Sequence, residues 1–245
     1  MSNNYDIPGL NQAVTQDDIL HSRERHNNLP NDSALHTPEK RHRIALDRMF
    51  KKHGVGNIYA VHGLHKHFDL EEGHHLVGHI ESYQQRNYRW TRALPNNSLD
   101  PNNLHGHIFQ LTPDNKLCAY EYQVGPLPDA PHDHNAFISE FSDYLGLHKL
   151  DSILGLEVLI PQFQGKKVEI VLYGHQMLLC DRELMKERDS STVTAWLSHP
   201  QSNELTDGVH YVIQGDKHET FNKGAPWPDL KSIIEKLQQA NFLGH

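Results

Sequence analysis

The alternation of apolar and polar positions divides the chain into three helical stretches and a series of short strands. Thr37-Pro38 supplies a cap residue followed by a proline suited to a first helical turn. Beyond it His42, Ala45, Leu46, Met49 and Phe50 share one face, while Arg41, Arg43, Arg48, Lys51 and Lys52 take the other, which predicts a helix over 38–53 stopped by Gly54. Phe137, Ile138, Phe141, Tyr144 and Leu145 repeat at helical spacing and predict a second helix over 134–148; Leu230, Ile233, Ile234 and Leu237 predict a third over 228–241. Runs at 57–64, 75–83, 87–94, 104–111 and 117–124, and again near 153–160, 167–173, 191–198 and 209–214, predict strands, with the Pro/Gly/Asp-rich segment 125–133 as a connector.

Helix, strands, helix, strands, helix is the order of an α+β fold built on mainly antiparallel, curved sheet. Residues 1–36, rich in Asn, Asp, Gln and Ser, predict an irregular N-terminal arm, and 37–245 a single globular domain. Two α-then-β halves, 37–130 and 131–245, fit the same order, as does one large curved sheet with helices on one face. No residue-level repeat decides between them.

A chain of 245 residues buries a core without disulfides or metal staples. Its formal charge of −8 argues against broad attraction to nucleic acid or anionic membrane. It has no apolar signal-peptide core and no apolar run near the ~20 residues of a membrane span. The expectation is a cytoplasmic protein whose partner is a small-molecule substrate, with a homodimer left open. Cys118 and Cys180 lie in apolar runs, where free thiols are expected.

Histidine changes this picture. Six of the 21 histidines fall between positions 62 and 79: His62, His65, His67, His74, His75 and His79. His65 and His67, two apart, would share one face of a strand; His62 would point the other way unless Gly63 introduces a bulge. Two imidazoles on one face chelate a metal or divide acid and base roles. His105-Gly106-His107 repeats the spacing, so His107 completes a site if the strands are neighbours. Tyr120 and Tyr122, flanking Glu121, are candidates to donate to a substrate oxygen, with His62 and His105 as further substrate contacts. Each feature has a plainer reading: solvated strand-end imidazoles, and an aromatic core face with hydroxyls at its rim. Arg86, Arg89 and Arg92, around Tyr88 and Trp90, read as a solvated edge strand or an anion site.

The run Leu64-His65-Lys66-His67-Phe68-Asp69-Leu70 resembles a signature in a family of uncharacterised proteins from filamentous fungi, some associated with natural-product gene clusters. That resemblance implies a small-molecule tailoring role in secondary metabolism. It nominates His65, His67 and Asp69, the last holding an imidazole in one tautomer. The spacing His65-x-His67-x-x-x-Glu71, with Gly215-Asp216-Lys217-His218 near the C-terminus, also resembles the two cupin motifs. This second resemblance implies a divalent metal such as iron, zinc or manganese on His65, His67, Glu71 and His218.

Serine-hydrolase, phosphate-loop, dinucleotide-binding, Cys-x-x-Cys and His-Glu-x-x-His patterns are all missing. The leading expectation is therefore a lyase, isomerase or cyclase without a cofactor, using His65, His67, Asp69 and His107. A metal-dependent oxygenase or isomerase is the alternative, and a non-enzymatic, pH-responsive histidine-rich binding protein is the third reading.

Overall fold

A computed structural model describes residues 6–126, 134–161, 163, 165–185, 191–212 and 226–244. His218 and most of the 125–133 connector lie outside these residues. The helices are α1 (Gln16–Asn27), α2 (Lys40–His53), α3 (Asn135–Leu147) and α4 (Leu230–Gln239). The strands are β1 (Tyr59–Gly63), β2 (His74–Tyr83), β3 (Arg86–Pro95), β4 (Leu104–Leu111), β5 (Leu117–Val124), β6 (Leu154–Val158), β7 (Lys167–Leu172), β8 (Gln176–Asp181), β9 (Ser191–Leu197) and β10 (Thr206–Val212).

The mixed α+β expectation holds, but the strands close into a barrel rather than leaving an open curved sheet. They run β1-β6-β4-β5-β2-β3-β8-β7-β10-β9, and β9 pairs back onto β1. β2–β5 and β7–β10 are parallel and the other neighbours antiparallel. β6 sits between β1 and β4, and β3 pairs with β8, so strands before and after the connector share one closed sheet.

Closure gives the sheet an inner and an outer face. The outer face is apolar and covered by helices on two sides. Tyr59, Val61, Phe109, Tyr122, Leu156 and Trp196 pack with Ile19 of α1, Leu46 and Phe50 of α2, and Phe137 and Phe141 of α3. Around the barrel, Tyr88, Trp90, Val168, Ile170, Leu178 and Cys180 pack against Leu230, Ile233, Ile234 and Leu237 of α4. The inner face carries the polar alternates. β3 is no solvated edge: Arg89 and Thr91 are buried beside the outward Tyr88 and Trp90. Both cysteines are free, and among the described residues no helix is long and apolar enough to cross a membrane.

Two elements escaped the sequence pattern. The arm contains α1, started by a reciprocal Thr15–Asp18 capping box and docked through Ile19, Ser22 and His26. Those three have helical spacing, but two are polar, so an apolar-periodicity search passes over them. Ser22 Oγ donates to the Ile19 carbonyl and lies 2.8 Å from His75 Nδ1, tying the helix to β2. The other is β8, which follows β7 through a turn with positive φ at Gly174 and His175.

The β2–β3 hairpin turns on Gln84 and Gln85, at φ 51° and 61°. Two consecutive left-handed residues suit Asn-Gly far better than Gln-Gln. Replacing Gln84-Gln85 with Asn-Gly is expected to stabilise the fold by about 1 kcal/mol. Urea denaturation measures it; an unchanged or lower midpoint would mean that the turn is not left-handed.

Candidate active site inside the barrel

The inward-facing residues form a chain of charges in which each carboxylate has its own partners. On β3, Arg89 Nη1 donates to Glu121 Oε1 at 2.6 Å and to Thr91 Oγ1 at 2.8 Å, and its Nε donates to Gln123 Oε1 at 2.7 Å. A Cβ added to Gly78 would lie 2.3 Å from this guanidinium, so β2 leaves room for it only as glycine. Burial raises the Glu121 carboxyl pKa, and the Arg89 guanidinium offsets only part of that rise.

Glu157 on β6 lies between two imidazoles, 3.0 Å from His62 Nδ1 and 3.7 Å from His107 Nε2. Two register shifts in the β4–β5 pairing leave His107 and Tyr120 without a cross-strand partner. Such bulges re-aim side chains, and here both residues reach the interior. Burial, then Arg89, lowers the His107 pKa well below the ordinary imidazole value, so this ring is neutral.

The third group lies where the chain leaves β1. His65 and His67 are not on a strand; they sit in the irregular segment after Gly63, yet they converge. The N-terminal arm runs beside this segment, with Asn31 bridged to Lys66, which places Asp32 Oδ2 2.9 Å from His67 Nδ1. His65 Nδ1 donates to the Gly63 carbonyl at 2.7 Å, and the His65 ring stacks on His62 with centroids 5.5 Å apart. Glu169 Oε2 of β7 comes within 3.2 Å of His67 Nε2. Burial and the neighbouring His67 and His62 hold the His65 pKa down to about 3. Burial would lower His67 as well, but its hydrogen bonds to Asp32 and Glu169 win and raise its pKa to about 9. Glu169, despite burial, falls to about 2 through His67.

Two interior spaces flank these groups. A void of about 20 Å³ is lined by His62, His65, His67, Tyr120, Glu121 and Glu169, among others. A cavity of about 370 Å³ reaches inward to His107, Glu157, Lys167 and Ala195 and opens past Asn57, Phe163 and His199. Its walls are largely apolar, with a few polar groups converging at its inner end, as in ligand pockets generally. Outside the barrel, a cleft of about 630 Å³ has His67 on its wall, beside Phe68, Glu71 and His175.

The structure thus brings together His62, His65, His67, His107 and Tyr120. Asp69 does not orient an imidazole: it is exposed and pairs with Lys66 at 2.7 Å, while Asp32 holds His67. Glu71 is exposed and lies apart from the paired imidazoles; the acid that meets them is Glu169. His105 is half-buried, with Nδ1 3.4 Å from the Gly125 carbonyl. Tyr122 faces outward into the helix-covered core. Glu157 and Glu169 were missed as site residues, and Arg89, read with Arg86 and Arg92 as a solvated edge or an anion site, instead pairs with Glu121. The signal for the two glutamates was a charge at an inward position within an apolar strand, as in LGLEV and KVEIVL; Asp32 had no signal.

No family model matches this chain, and no curated protein or solved structure compared with it does either.

Removing Arg89 would strand the Glu121 charge inside the barrel. Arg89→Leu is expected to cost about 3–5 kcal/mol in chemical denaturation, and adding Glu121→Leu to recover most of it. A single-variant loss below about 1 kcal/mol would show that water reaches this pair.

Proposed function

We propose that the protein is a small-molecule enzyme, a lyase, isomerase or cyclase, that moves protons within a substrate held in the 370 Å³ barrel cavity. The observation that carries this reading is the pairing of His107 with Glu157 at the inner end of that cavity. His107, neutral through burial, accepts a proton without first losing one. The Glu157 carboxylate stabilises the imidazolium that then forms, and His62 on its other oxygen fixes its orientation. The proton can return to a different atom of the same substrate, which is the net chemistry of an isomerase. It can also go to a departing group, as in a lyase. The apolar wall, including Leu159, Phe163 and Leu197, excludes water and holds the substrate in a folded conformation, which favours ring closure.

This reading leaves His65 and His67 outside the mechanism, because the void that both of them line, about 20 Å³, is too small for a substrate. The likeness of Leu64–Leu70 to fungal proteins associated with natural-product clusters agrees with a tailoring role in secondary metabolism. No dinucleotide or flavin signature is present in the sequence, and proton transfer of this kind requires neither.

The test is conversion of compounds in a fractionated small-molecule extract, followed by chromatography and mass spectrometry. The wild type is expected to consume at least one compound and yield a product of equal mass, or fragments summing to it. His107→Ala and Glu157→Gln are expected to slow that conversion by about 10²–10⁴-fold. Because His107 loses its proton well below the ordinary imidazole pKa of about 6.5, kcat/KM should stay flat as pH falls through 6.5. No conversion by the wild type, or variants as fast as it, would refute the proposal.

A further inference from the structure

We propose that His65 Nε2, His67 Nε2 and Glu169 Oε2 bind one divalent transition-metal ion, of the zinc or iron(II) class.

The three atoms form a triangle with sides of 3.2 Å (His65–His67), 3.2 Å (His67–Glu169) and 4.0 Å (His65–Glu169). The point equidistant from its corners lies about 2 Å from each, which is the bond length of zinc to imidazole nitrogen and carboxylate oxygen. The supporting shell sets the tautomers. His65 Nδ1 donates to the Gly63 carbonyl and His67 Nδ1 to the Asp32 carboxylate, so each ring directs Nε2 toward the triangle. Metal-binding histidines are oriented by this kind of partner. Without a metal, a proton on His67 Nε2 faces both His65 Nε2 and Glu169 Oε2; a metal ion takes its place and bonds all three atoms at once.

A second observation points into the same space. The Tyr120 hydroxyl is buried and has no hydrogen-bond partner among the described residues, and its side chain lines the 20 Å³ void beside His65, His67 and Glu169. A void of that size holds about one water. Three protein ligands leave a fourth position open, and a water bound there would give the Tyr120 hydroxyl its partner. A metal reaches the site from the outer cleft, where His67 forms part of the wall. Two imidazoles and one carboxylate suit zinc or iron(II) better than the hard, oxygen-seeking magnesium or calcium.

This site is distinct from His107 and Glu157, and its test does not use turnover. Full-length protein is stripped with a chelator, dialysed, and titrated with Zn²⁺ by calorimetry; Co²⁺ is added in parallel for its visible absorption. One tight equivalent is expected, with Co²⁺ absorbing at the intensity of a four-coordinate site. Glu169→Gln and His65→Ala should weaken that equivalent by at least 100-fold, and Asp32→Asn by about 10–100-fold. His105→Ala, outside the triangle, should leave it unchanged. Weak binding of several equivalents that persists in Glu169→Gln and His65→Ala would overturn the site and leave a shared proton as its occupant. If those variants do not fold, anomalous diffraction from wild-type crystals grown with Zn²⁺ decides: a peak within bonding distance of all three atoms supports the proposal, and density only elsewhere refutes it.

Discussion

A closed barrel largely buries the charges on its inner face, and this constraint organises the rest of the molecule. An isolated carboxylate moved into such an interior would cost several kcal/mol or take up a proton. Glu121, Glu157 and Glu169 project inward from three strands, and each is met by a cation or an imidazole: Arg89, the His62–His107 pair, and His67. The pairs span strands far apart in sequence. The polar interior therefore specifies register around the barrel as the apolar exterior specifies which helices cover it.

The same constraint separates the interior groups into different protonation states. His65 and His107 are depressed because burial penalises their charged form, whereas His67, between Asp32 and Glu169, is held as a cation in the absence of metal. Acid–base chemistry needs groups whose environments push their pKa values apart in this way. The bulges that deliver His107 and Tyr120 inward, and the glycine at 78 that clears space for Arg89, are local departures from regular strand geometry at the places where the interior is most polar.

Helices α2, α3 and α4, most strands and the mixed α+β class were legible because outward faces are apolar and follow simple periods. Barrel closure was not: it depends on β9 meeting β1, which no local pattern encodes. Of the residues the sequence nominated, His62, His65, His67, His107 and Tyr120 reach the barrel interior. Their partners were harder to see. Glu169 lies 102 positions beyond His67 and belongs to a strand that sequence alone cannot place opposite it. Asp32 belongs to a stretch that composition marks as irregular, and only the pairing of Asn31 with Lys66 brings it to the site. Asp69, nearer in sequence, faces solvent instead.

The most direct test of this account is side-chain ¹H–¹⁵N correlation spectroscopy of the 21 histidines between pH 4.5 and 8. His26 and His75 should take up protons only near pH 4, and His107 should stay neutral well below 6.5. If His107 instead takes up a proton near pH 6.5, burial does not hold the interior imidazole neutral and the account fails.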